Sequence, residues 1–281
     1  MSLVIGEISY TNILPLYYYL DRELLKSHGC SFTPQVPSEL NASMSAGRVD
    51  VGGISSFAYA ENTSQFTLLP DLSVSAYEKV GSIFLFSKVP IEQLSGKSIA
   101  LTSSSATSVH LLKVILERFY QHEVQYETMK PSMDRMLDQN DACLLIGDDA
   151  ILASWRKAEK LYQYDLASLW YKHTGLPMTF AVVAVRNEVI DRSSHLVGLL
   201  YRSLIQSKQL SRQKQFQPMI KDILQTYGGR KSFWDEYFQE LCYEFSENEQ
   251  RGLTLYYQLA YELGYLQKPV DAIQIWKAVE S

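Results

Sequence analysis

Six of the seven residues from Thr102 to Ser108 are serine or threonine, interrupted only by Ala106. Just before them, Ile99, Ala100 and Leu101 read as a short buried strand. After them, Leu112, Ile115, Leu116 and Phe119 recur at the spacing of one amphipathic helix face. Hydroxyls at such a strand-to-helix turn meet free N–H groups and the positive end of the helix dipole, so they either cap the helix or help to hold an anion. A carboxylate held there gains about 0.3–1 kcal/mol from the dipole, and about 2 kcal/mol when partly buried. Ser104, Ser105, Thr107 and Ser108 are therefore candidate carboxylate ligands, with a plain helix cap as the alternative.

Other turns carry polar groups of a similar kind. Tyr10-Thr11-Asn12-Ile13-Leu14-Pro15 follows the first apolar strand and precedes a helix. Asn12 offers a donor and an acceptor in one compact amide, suited to a hydroxyl or a carboxylate and equally to a cap. Ser55 and Ser56 end a third strand and start a short helix. Ser82 lies inside the apolar run Val80–Phe86, where a hydroxyl needs a backbone partner or a ligand. Gly147-Asp148-Asp149 follows the strand Ala142–Ile146. Asp148 is a proton-transfer candidate or a helix cap, and Gly147 meets a backbone demand or admits a close approach. The histidines His28, His110, His122, His173 and His195 show no metal spacing, so no metal is expected. No P-loop, G-x-S-x-G or G-x-G-x-x-G is present. The clusters Tyr17–Tyr19 and Tyr256-Tyr257 read as amphipathic packing.

The elements that must position these groups alternate. Strands are expected over 3–8, 31–36, 49–54, 80–87, 99–101, 124–129, 142–146 and 178–185, with helices between most of them. Beyond Asn187 the pattern is helical: 189–208, 211–226, 232–244, 246–264 and 270–279. The expectation is an α/β fold of two lobes, with residues 1–87 and 178–281 forming a large discontinuous lobe and 88–177 a small one. A helical C-terminal extension belongs to the first lobe. Ligand would lie in the cleft, where strand ends and helix starts meet.

The chain has 281 residues, 46% hydrophobic and 20% charged, with a net charge of −5. No Lys/Arg run appears, which argues against nucleic acid or an anionic membrane as partner. An anionic ligand must then be held by local dipoles and hydroxyls. Cys30, Cys143 and Cys242 are scattered and form no C-x-x-C, which points to a reducing, cytoplasmic compartment. Neither a signal peptide nor a membrane span is expected. Oligomeric state is left open, a homodimer included.

In order along the chain, IGEISYTNILP, AGRVDVGGISSFAYA, LPDLSVSAYEKVGSIFLFS, SIALTSSSATSVHLLKVIL, ACLLIGDDAI, YDLASLWYKHTGLPMTFAV and a tail containing ELGYL resemble the chorismate dehydratase family of the futalosine route to menaquinone. The resemblance implies a two-lobed fold like type II periplasmic binding proteins. It also implies a cofactor-free loss of water from chorismate, giving 3-[(1-carboxyvinyl)oxy]benzoate. Asn12 matches the Asn of the family's Y-x-N-x-x-P turn, and Ser82 the Ser of its V-x-S strand; both are implied to line the substrate pocket. The Ser/Thr turn matches the family's carboxylate-holding helix start. A related enzyme, 1,4-dihydroxy-6-naphthoate synthase, carries a His where this chain has Gly147. Many dehydratase-like sequences have a Pro near Ile54-Ser55-Ser56, which this chain lacks.

From the resemblance Asn12 and Ser82, and from its own turn Asp148, are the expected catalytic residues. Tyr10, Ser55, Ser56, Ser104, Ser105, Thr107, Ser108 and Gly147 are the expected substrate-binding ones. The base is either Asp148 or the substrate's own enolpyruvyl carboxylate. The alternatives are a solute-binding protein for a small carboxylate and a naphthoate-synthase-like enzyme.

Overall fold

A computed structural model describes residues 2–277, and in it two β-sheets form the centres of two lobes. In chain order the strands are β1 Leu3–Ile8, β2 Cys30–Gln35, β3 Val51–Ser55, β4 Phe66–Ala76, β5 Ile83–Ser87, β6 Ser98–Thr102, β7 Gln125–Met129, β8 Ala142–Ile146, β9 Tyr162–Asp165, β10 Met178–Arg186 and β11 Leu241–Cys242. The first sheet runs β11-β4-β10-β3-β1-β2 and the second β7-β6-β8-β5-β9. Strands β1, β2 and β3 are mutually parallel, as are β6, β7 and β8. The antiparallel members are β10, against β3 and β4, β11, against β4, and β5, against β8 and β9. Every residue of β3, β5 and β8 is buried, as expected of central strands covered on both faces.

Residues 83–87, expected with the first lobe, hydrogen-bond within the second sheet as β5. The crossings between sheets are therefore the short segments 77–82 and 175–177. The long strand β4 is not among the expected elements. It carries Pro70-Asp71 at a bulge. Val182 pairs with Ser73 and Ala184 with Leu68, so residues 69–72 leave the ladder while Asp71 adopts φ 56°.

Helix Asn187–Gln213, kinked at Ser193, is followed by Gln217–Tyr227, Lys231–Glu240 and Glu247–Glu262. The last is closed by a capping box between Ser246 and Glu249. It crosses the 175–177 segment at Gly252, where a Cβ would run into the Pro177 carbonyl oxygen. The helix expected at 270–279 does not form over 270–277, where Ile275 instead bridges to Leu68. Residues 278 and 279 lie outside the described residues. Among the described residues, no helix is long and apolar enough to cross a membrane.

Candidate functional site

Three helices begin at the carboxyl ends of central strands and face one inter-lobe cavity. Ser56–Glu61 follows β3, Thr107–Val114 follows β6, and Gly147–Arg156 follows β8. The 3₁₀ turn Thr11–Ile13 after β1 completes the rim. Strand-end turns of this kind collect backbone N–H groups and dipole ends, a local source of positive potential. The cavity is narrow, with about 40 Å³ open to the centre of a water molecule. Its polar lining comes from Tyr10, Asn12, Ser55, Ser105 and Ser108, with Gly147 at one wall. Ile8, Ile83, Ile146 and Phe180 supply an apolar face, which the sequence reading did not anticipate. Among the described residues, no charged side chain lines it.

Asn12 has the most distinctive environment. Its backbone carbonyl accepts a 3.0 Å hydrogen bond from the Tyr243 hydroxyl, whereas its buried Oδ1 meets no protein donor. Buried acceptors in folded proteins are nearly always satisfied, so an exception on a cavity wall marks a ligand position. Beside it, the Tyr10 ring lies against Gly147. That glycine has φ +58°, and a Cβ there would meet the ring at 2.9 Å. Burial raises the Tyr10 phenol above its ordinary value, helped by the charges of Asp149 and Asp148, while a hydrogen bond from Ser104 works the other way. Ser105 caps its own helix by accepting from Ser108 N at 3.0 Å. Ser55 caps Ser56–Glu61 by accepting from Ala58 N at 3.1 Å, and Asn41 braces it.

The remaining expected site residues are buried close by and engaged elsewhere. Thr107 Oγ1 accepts from Phe57 N at 3.0 Å and lies 3.2 Å from Ser56 Oγ, so it ties the small lobe to the start of a large-lobe helix. Ser56 donates to the Thr179 carbonyl at 2.8 Å. Ser104 N donates to Thr102 Oγ1. Ser82 is fully buried; its hydroxyl accepts from Tyr237 at 3.0 Å and its carbonyl from Gly147 N at 2.7 Å. The Asp148 carboxylate accepts from Thr11 Oγ1 at 2.6 Å and Thr11 N at 3.4 Å. Burial pushes its pKa up against those hydrogen bonds, and Tyr227 stands beside it. Neither Ser82 nor Asp148 is among the cavity-lining residues.

His110 lines a separate open recess that shares Ser105 with the cavity. Its ring stacks on Phe57 at 3.8 Å, and Nδ1 lies 2.9 Å from the Ala106 carbonyl oxygen, the geometry of a neutral Nδ1–H donor. Burial lowers its pKa to about 4. Among the described residues, no group of His, Cys, Asp and Glu could hold a metal ion.

The sequence reading assigned Tyr256-Tyr257 to packing and passed over Tyr237 and Tyr243. Tyr243, Tyr256 and Tyr257 each donate to a residue of the site turns, and Tyr237 donates to Ser82 beside them. One signal could have found them: the chain has 19 Tyr against 11 Phe. Buried aromatic positions that need only bulk would be filled by Phe.

A family profile described as menaquinone biosynthesis matches residues 3–262. The chain is similar to a chorismate dehydratase of Thermus thermophilus, 34% identical over 199 residues, covering 66% of this chain and 70% of that one. A chorismate dehydratase of Campylobacter jejuni is 28% identical over 182 residues, covering 64% and 66%. Among solved structures, the periplasmic aliphatic sulphonate binding protein of Escherichia coli superposes with a TM-score of 0.71 at 14% identity, covering 100% of this chain and 93% of that one. That likeness shows the two-lobed binding-protein fold.

Proposed function

The chain belongs to the menaquinone-biosynthesis family, and on that premise we propose that it is a chorismate dehydratase working in the inter-lobe cavity. The observation that carries this reading is the unpartnered Asn12 Oδ1 on the wall of a cavity without charged side chains. Chorismate is a dianion with a ring hydroxyl. Hydroxyls and helix starts suit its carboxylates, the Asn12 amide oxygen suits a donated O–H, and the apolar wall suits the ring.

The reaction removes the proton at C3 and the hydroxyl at C4, which leave together as water, and the ring becomes aromatic. Aromatisation drives it, so the protein has mainly to orient the leaving hydroxyl and exclude water. The Asp148 carboxylate is occupied by Thr11 and stands off the cavity wall. That supports the substrate's own enolpyruvyl carboxylate as the acceptor of the ring proton, which it then passes to the leaving hydroxyl so that water departs. Ser105 and Ser108, at the start of Thr107–Val114, would hold the other carboxylate. The product would be 3-[(1-carboxyvinyl)oxy]benzoate, feeding the futalosine route in the cytoplasm. Three unpaired cysteines agree with that compartment.

Incubation with chorismate, followed for an aromatic product by ultraviolet absorbance and mass, tests the proposal. Stoichiometric release of the enolpyruvyl benzoate is expected. Chorismate bound but recovered unchanged would make the protein a binding module.

A further inference from the structure

Between residues 217 and 262 the extension carries six tyrosines, and four of them, Tyr237, Tyr243, Tyr256 and Tyr257, are almost completely buried. None of these four hydroxyls pairs within the extension. Tyr243 donates to the Asn12 carbonyl at 3.0 Å and Tyr237 to Ser82 Oγ at 3.0 Å. Tyr256 donates to the Thr107 carbonyl at 3.1 Å and Tyr257 to the Ser56 carbonyl at 2.6 Å. Three partners belong to different turns around the cavity, and the fourth, Ser82, lies in the crossing segment 77–82, where its carbonyl holds Gly147 N. We propose that these tyrosines are positioning residues for the dehydration, and that the extension is a rigid backing whose hydroxyls set the site turns from behind. The inference rests on the dehydratase reading.

The Asn12 turn shows why such backing is needed. The 3₁₀ turn Thr11–Ile13 has no side-chain cap of its own. Its placement depends on Thr11 held by Asp148 on one side and the Asn12 carbonyl held by Tyr243 on the other. With both fixed, the Asn12 amide reaches the cavity in one orientation. A misplacement of about 1 Å in a group that orients a reacting bond lowers rate by about a hundredfold, so a hydroxyl distant from the chemistry can govern turnover.

A double-mutant cycle with chorismate as substrate tests this. Tyr243→Phe keeps the ring and removes the hydroxyl; kcat is expected to fall about tenfold while KM changes less than about threefold. In the Asn12→Ala background the same substitution should cost nothing more, because the amide it positions is gone. Tyr237→Phe with Ser82→Ala forms a second, independent cycle and decides the matter if Tyr243→Phe does not fold. Tyr59→Phe is the control: that buried hydroxyl accepts only from Gln274 N, away from the cavity, and its loss should leave kcat at the wild-type value. Additive losses in both cycles, wild-type kcat in both single variants, or loss of folding in both would overturn the proposal while leaving an active wild type a dehydratase. A wild type that does not consume chorismate overturns both readings.

Discussion

A buried acceptor without a donor destabilises a folded chain by about 1–3 kcal/mol, and Asn12 Oδ1 is such an acceptor. Removing it should therefore separate stability from activity. Asn12→Ala is expected to melt at or slightly above the wild-type temperature while losing well over tenfold in kcat/KM for chorismate; calorimetry beside steady-state kinetics checks both. A variant that turns over normally would take the amide out of the mechanism. His110 makes a different single-residue prediction. The folded chain keeps its imidazole neutral down to about pH 4, chiefly through burial, whereas an unfolded histidine takes up its proton near 6.5. Acidification between those values therefore favours the unfolded state, so stability is full above about pH 6.5 and falls towards pH 4. Allowing for the partly exposed ring, the loss is on the order of 2 kcal/mol. Urea melts at pH 7.5 and 4.5 should show it in the wild type, and most of it should vanish in His110→Gln. An equal pH loss in that variant would assign the effect to other groups.

Strand-end turns do most of the work at the scale of elements, and the Gly147 turn is the tightest of them. With φ +58° and the Tyr10 ring where a Cβ would sit, position 147 has two separate reasons to be glycine. Gly147→Ala should destabilise by about 1–2 kcal/mol from the backbone alone, with more from the displaced ring. Tyr10→Ala in the same chain should recover only the second part, and urea melts of the four variants resolve the two. Full recovery would mean that the backbone carries no strain. Such turns were legible in the sequence because their signals are local: apolar runs ending in Asn, Ser, Thr or Gly just before a helical period. Asn12, Ser105, Ser108 and Gly147 were found that way, and they line the cavity. The tyrosines were not legible. Their partners lie as far as 231 residues away, and a helical period registers the ring and not its hydroxyl. Thr107, expected to bind substrate, shows the limit of that signal, because its hydroxyl here accepts from Phe57 N. A hydroxyl at a turn looks the same in sequence whether it meets a ligand or caps a helix of the opposite lobe. Strand β4 was hidden because a bulge and a turn share the residues Pro and Asp.

Over the whole molecule, the two lobes meet through hydroxyls and aromatic rings, some of them set against a lone charge such as Glu117 or Lys113, which face Tyr265. Thr11 reaches Asp148, Thr107 caps Ser56–Glu61, and the Trp155 ring packs against Gly229 and edge-on to Phe233 at 5.3 Å. Among the described residues, no ion pair links 83–174 to the rest of the chain. The cavity likewise has no charged lining, and the net charge is −5. A dianionic substrate is therefore drawn in by short-range dipoles and hydroxyls while the distant field of the protein opposes it. Salt screens the distant repulsion over about 10 Å at 0.1 M and acts much less on a buried dipole contact. The expected consequence is that kcat/KM for chorismate rises, by about twofold, when ionic strength is raised from about 0.01 to 0.2 M with an inert chloride salt. A site built on lysine or arginine would show the opposite slope, because salt would screen the attraction that recruits the substrate. Initial rates at low chorismate across that range measure the sign directly, and a clear fall would mean that a cation outside the cavity wall takes part in binding.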